Sequence, residues 1–169
     1  MSFLGAVATL NNLKKNSIIG DYAIGGGYAV NYYLEPTLTY DLDILVLVDS
    51  DSDYYALYKY FRENKYKIEN VYVVIDSLPV QFFPSTISPL YGEAIRLARK
   101  ITVKGVPSKV IRVEHLIALL LVSYRPKDKI RIVELLKLAN KGLLDEILVR
   151  FEDEKTPLRQ RLRRVLENI

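Results

Sequence analysis

The chain has 169 residues, 50% of them hydrophobic, and a net charge of +4, enough to bury about two-thirds of its unfolded surface in one core. Zero cysteines exclude disulfides and thiolate metal sites, and a single histidine, His115, excludes an imidazole-rich zinc centre, so any metal must be held mainly by oxygen. The longest strongly apolar run, residues 44–48, ends at Asp49, far short of the roughly 20 apolar residues that cross a bilayer. With no membrane segment and no basic leader, the chain is expected in the cytoplasm.

Phe3, Val7, Leu10 and Leu13 recur at helical spacing and predict an opening helix over residues 2–15. Residues 18–24 read as a short strand running into Gly25-Gly26-Gly27, and residues 28–34 as two helical turns stopped ahead of Pro36. Residues 41–48 are apolar on both faces after Asp43, the pattern of a central strand covered on both sides. Tyr54, Leu57, Tyr58 and Phe61 mark an amphipathic helix over 51–65. Residues 71–76 and 80–83 read as two strands joined by a turn at Ser77-Leu78-Pro79, and 91–108 as a joint. Beyond it, 114–122, 126–140, 143–151 and 157–169 all read as helices, with Pro126 and Pro157 in first turns. The expected fold class is α+β: a mixed β-sheet flanked by helices over residues 1–108, then a C-terminal helical region, 109–169, packed on it.

Two features carry chemistry. Side chains two apart on a strand share a face, so Asp41 and Asp43 set two carboxylates about 7 Å apart along the backbone and aimed into one pocket. Hard oxygen ligands from two carboxylates suit Mg²⁺, which phosphoryl and nucleotidyl transfer require to neutralise a triphosphate. Alone, such a pair also fits a strand-start cap beside a solvent-facing acid. Gly25-Gly26-Gly27, between strand and helix, lets the backbone approach a ligand and offers helix N-terminal N–H groups to phosphate.

Residues 24–29, Ile-Gly-Gly-Gly-Tyr-Ala, with residues 37–44, Thr-Leu-Thr-Tyr-Asp-Leu-Asp-Ile, resemble the DNA polymerase β-type nucleotidyltransferase superfamily. More narrowly they are similar to AbiEii-type and minimal nucleotidyltransferase-like proteins, whose pattern is Gly-Gly-x-Ala followed by Arg-x-Thr-x-Asp-x-Asp. A second stretch, 110–119 followed by Arg125-Pro126-Lys127-Asp128, resembles that group's helix pair. The resemblance covers about residues 18–140 and implies a nucleotidyltransferase fold. It further implies that Gly25, Gly26 and Gly27 cradle nucleotide phosphates, that Thr39 supports the turn, that Asp41 and Asp43 bind Mg²⁺, and that Lys127 and Asp128 line the cleft. Asp128 also fits a first-turn acid beside Pro126.

Four positions depart from the pattern. Thr37 stands where the group has arginine, Gln81 where many members have a third acid, Leu120 where a lysine is expected, and Arg131 where an acid is expected. Asp76 and Glu69 are the neighbouring acids that could stand in for the third carboxylate.

Arg159, Arg161, Arg163 and Arg164 make the last helix basic, a face for RNA or simply for water. Its stripe of Leu158, Leu162, Val165, Leu166 and Ile169 calls for cover by the preceding helices or by a second subunit in a homodimer. The functional expectation is Mg²⁺-dependent transfer of a nucleoside monophosphate from a nucleoside triphosphate to a hydroxyl on an unidentified acceptor, RNA or protein. The alternative is a catalytically degenerate relative that binds nucleotide or serves as one half of a toxin–antitoxin pair.

Overall fold

The structure, a computed structural model, describes residues 2–169. Eight helices and seven strands alternate along them, in the order α1 (Ser2–Lys15), β1 (Asp21–Ile24), α2 (Gly26–Tyr33), β2 (Leu42–Leu47), α3 (Asp51–Glu63), β3 (Ile68–Glu69), β4 (Tyr72–Ile75) and β5 (Leu78–Pro84). Then follow α4 (Pro89–Arg96), β6 (Arg99–Val103), β7 (Val106–Val110), α5 (Val113–Ser123), α6 (Pro126–Leu136), α7 (Lys141–Phe151) and α8 (Leu158–Glu167).

All seven strands join one mixed sheet in the order β3-β4-β5-β2-β1-β7-β6. β1 and β2 run antiparallel at its centre, with β5 parallel to β2 and β7 parallel to β1. The apolar run of β2 explains its central place: Leu42, Ile44, Leu45 and Val46 are all buried, as a strand covered on both faces demands. Helix α1 buries Ala6, Val7, Leu10 and Leu13 as their spacing predicts. No helix among the described residues is long and apolar enough to cross a membrane.

Several boundaries moved for local reasons. Strand β1 begins at Asp21 because Ile18 and Ile19 spend their N–H groups on the Leu13 carbonyl, closing α1, with Ser17 at φ 60°. The β4–β5 hairpin turns on Asp76-Ser77, both at positive φ (48° and 69°), one step ahead of the expected turn. That pair of left-handed residues matches the right-handed twist of the strands. The segment expected as a joint, 91–108, falls mostly within α4, β6 and β7, and a boundary at 108–109 lies inside strand β7.

The C-terminal helices follow the expected positions and pack on one another and on α2 and α4. His115, 1% exposed, sets Nε2 2.9 Å from Glu93 Oε2, and Arg150 Nη1 lies 3.2 Å from Glu93 Oε1, so one carboxylate ties α4 to α5 and α7. On α8, Leu158 and Val165 are buried within the chain, whereas Leu166 and, beyond the helix, Ile169 are exposed.

Candidate active site

The glycine turn and the paired aspartates meet. Gly25 N–H donates to the Asp43 carbonyl at 2.9 Å, which clamps the end of β1 to the start of β2. Helix α2 begins at Gly26, two residues earlier than predicted, because the turn itself winds into the helix. Gly26 takes φ +54°, and a Cβ there would stand 2.0 Å from Asp43 Oδ2. Only glycine gives both the left-handed backbone and the close approach. A Cβ on Gly27 would meet Thr39 Oγ1 at 2.7 Å, and the Thr39 hydroxyl donates to the Asp41 carbonyl at 3.3 Å. No side-chain hydrogen bond from its N-cap residue, Gly25, caps α2, so the first N–H groups of that helix have no such partner.

Asp43 is electrostatically frustrated. Its carboxyl is pushed up to about 7, first by burial and then by the charge of Asp41 beside it, against the opposing pull of Arg125 and Lys127. Its Oδ1 is buried with no hydrogen-bond partner among the described residues. Two adjacent carboxylates, one with an orphaned oxygen, form an oxygen donor set of the kind that suits a hard divalent cation. Among the described residues no group of three or more His, Cys, Asp or Glu side chains could hold a metal ion, and Asp41 and Asp43 are two. Such a number suits Mg²⁺, which keeps waters and takes substrate phosphate oxygens for its remaining positions.

The expected helpers occupy definite places. Gln81 on β5 is the register partner of Asp43, so a neutral amide stands beside the carboxylate at the third-acid position. Glu69 lies on that same cross-strand row, through Tyr72, but three strands from Asp43, about 14 Å at ordinary strand spacing. It pairs with Lys67 at 2.6 Å instead, and Asp76 sits in the β4–β5 turn against Gly5, so neither supplies a third ligand. Thr37 is exposed and closes its own loop through the Asn31 amide, while Leu120 is packed in the core.

Lys127 is exposed near Asp43. Asp128 is fully buried (0% exposed) and spends its oxygens on Ser123 Oγ (2.7 Å), Arg125 N (3.0 Å) and the Arg125 guanidinium (Nε at 2.9 Å, Nη2 at 3.3 Å). Burial works to raise the Asp128 carboxyl, but these bonds, of which the one from Arg125 N–H is the capping-box contact of α6, hold it below its ordinary range. Asp128 is therefore a positioning residue that aims Arg125, whose guanidinium feels the charges of both Asp43 and Asp41. Sequence reading placed Arg125 in a motif without giving it a role, and it missed Tyr91, which lies near Asp43 as Tyr28 lies near Asp41. Burial raises both phenols, Tyr91 further by the charge of Asp43 and Tyr28 by that of Asp41. Arg125 had a signal in sequence, the Arg-Pro-x-Asp start of α6; Tyr91 had none, because α4 reaches Asp43 only through the fold.

The C-terminal arginines are partly committed inside the molecule. Arg161 Nη1 donates to the carbonyls of Leu121 (2.8 Å) and Val122 (3.0 Å), and Arg159 Nε to Glu152 Oε2 at 2.5 Å.

No protein-family model and no curated protein matches the chain, so the narrower AbiEii-type resemblance rests on its motif residues alone. Solved structures do match. An antigenic nucleotidyltransferase-like protein from Paracoccidioides brasiliensis is similar over 96% of this chain and 92% of its own, at 18% identity and a TM-score of 0.58. The antibiotic-resistance factor ANT(2″)-Ia is similar in two structures, both at a TM-score of 0.53. One holds adenylyl-2″-tobramycin and matches at 12% identity over 87% of this chain and 95% of its own. The other, a solution structure, matches at 11% identity over 99% and 98%. The seven-stranded mixed sheet with its flanking helices is thus a nucleotidyltransferase-like fold.

Proposed function

We propose that this protein is a nucleotidyltransferase that moves a nucleoside monophosphate from a nucleoside triphosphate to a hydroxyl-bearing acceptor, with Mg²⁺ held by Asp41 and Asp43. The observation that carries this reading is the junction of Gly26 with Asp43, where a glycine-started helix meets a carboxylate whose buried oxygen has no hydrogen-bond partner among the described residues. The N–H groups at the start of α2 bind phosphate oxygens, and Arg125 and Lys127 face the same charge from α6. Bound at the two carboxylates, the cation supplies charge neutralisation for the triphosphate and for the leaving group. The acceptor oxygen bonds to the α-phosphorus and the bond to the β-phosphate oxygen breaks. Pyrophosphate leaves with that electron pair, and the hydroxyl proton passes to solvent. Tyr91 and Tyr28, half-buried beside the carboxylates, bound the space where base or acceptor sits. The adenylylated polyhydroxyl compound in one ANT(2″)-Ia structure supports a small hydroxyl acceptor as one class to assay, beside RNA and protein.

The test is label transfer from α-³²P-labelled nucleoside triphosphates to panels of small polyols, aminoglycosides, RNAs and proteins, with pyrophosphate release followed in parallel. Transfer is expected to require Mg²⁺ and to vanish in Asp41→Asn/Asp43→Asn. Transfer that survives the double substitution places the chemistry elsewhere.

A further inference from the structure

A second concavity, of about 730 Å³, opens between the C-terminal end of α1 and the β6–β7 hairpin. Asp21, on its wall, starts β1, whereas the glycine turn follows the end of that strand. The two sites therefore lie at opposite ends of β1, about 13 Å apart at ordinary strand rise.

Its floor is polar and fixed. Tyr22, 2% exposed, donates its hydroxyl to Asn11 Oδ1 at 2.8 Å and lies 3.1 Å from the buried Ser108 hydroxyl, while Asn11 Nδ2 donates to the Pro107 carbonyl at 2.9 Å. Its walls are cationic. Asp21 holds two ammonium groups in place, Lys14 Nζ at 3.0 Å on Oδ1 and Lys109 Nζ at 2.6 Å on Oδ2, and Lys109 also donates to the Ile95 carbonyl at 2.9 Å. An ammonium has three donors, so Lys14 and Lys109 each keep capacity beyond these bonds. Lys15 and Lys100 line the same groove and have no ion-pair partner among the described residues.

Four lysines thus line a space with one carboxylate, already shared by two of them. The volume falls in the range of small-molecule sites and not of an extended nucleic-acid track. A single carboxylate ligand would leave most of these cations unmatched, whereas a row of phosphates engages several compact ammonium charges at once. We propose that the groove between α1 and the β6–β7 hairpin is a second ligand site, for a small molecule bearing two or more phosphate groups. It stands independently of the reaction assigned to the Asp41/Asp43 pocket.

Inorganic tripolyphosphate, titrated without divalent cation into the ¹⁵N-labelled chain and followed by amide shifts and calorimetry, tests this directly. Shifts are expected to cluster at Tyr22, Ile101 and Ser108. Lys15→Glu/Lys100→Glu is expected to weaken binding at least tenfold at unchanged thermal midpoint, since both side chains are exposed, while Lys127→Ala leaves this binding intact. No binding at millimolar tripolyphosphate, or shifts confined to Gly26 and Gly27, overturns the proposal. So does a ten-nucleotide RNA that occupies the groove where tripolyphosphate does not, because that ligand would be a nucleic-acid backbone.

Discussion

Asp43→Asn should stabilise the protein, and by an amount that depends on pH. Folding raises the Asp43 carboxyl from 3.8 to about 7. Between those values the folded chain holds a proton that the unfolded chain has lost, so stability contributed at this position falls as pH rises and levels off above about 7. A shift of about three units corresponds to about 4 kcal/mol. Residual solvent access to a side chain that is not fully buried screens part of this, leaving ~2–4 kcal/mol. Asparagine keeps the shape of the protonated acid and removes the titration. Urea unfolding across pH 4 to 8 should show variant and parent nearly equal at pH 4, diverging to pH 7 and parallel beyond. Mg²⁺ added at pH 8 should recover stability in the parent and not in the variant. A gap that stays constant with pH, or a variant less stable than the parent at pH 8, refutes the idea that burial and the charge of Asp41 disfavour an ionised Asp43.

Gly26→Ala sets a Cβ 2.0 Å from Asp43 Oδ2 on a backbone at φ +54°, so it should cost at least the ~1–2 kcal/mol of left-handed strain and weaken nucleoside triphosphate binding tenfold or more by calorimetry. Unchanged affinity would mean the close approach has no bearing on the ligand. Asp128→Asn breaks the buried capping box and frees Arg125; a loss of about 2–4 kcal/mol in denaturant unfolding is expected, and a loss below about 0.5 kcal/mol would contradict the capping role. Gln81→Asp puts a third carboxylate across from Asp43, which should raise Mn²⁺ affinity at least tenfold by paramagnetic relaxation while lowering metal-free stability at pH 8. If neither quantity moves, the side chain at 81 does not share the pocket.

The central site was legible because its signals are local. Glycines between a strand and a helix, and two aspartates one residue apart at the head of an apolar strand, mark a turn and a shared face without knowledge of the rest. What pairs with them was not. Gln81 comes beside Asp43 only through the parallel pairing of β2 and β5, and Tyr91 only through the packing of α4. Asp128 looked like a cleft residue by motif and equally like a first-turn acid beside Pro126, and the structure buries it at that first turn with a bond back to the N-cap. The β6–β7 hairpin was missed because edge strand β6 is only five residues long, so that the alternation of Ile101 and Val103 with Lys100 and Thr102 is too short to stand out. The Lys104-Gly105 turn, both at positive φ, was its other local signal. Helix α4, eight residues long with Gly92 inside it, is too short for periodicity to stand out.

The most direct measurement is a crystal structure with Mg²⁺ and a non-hydrolysable nucleoside triphosphate. The account predicts the cation on Asp41 and Asp43 and the triphosphate between Gly26, Gly27 and Arg125. A triphosphate bound elsewhere, or a pocket that binds neither ion nor nucleotide, contradicts it.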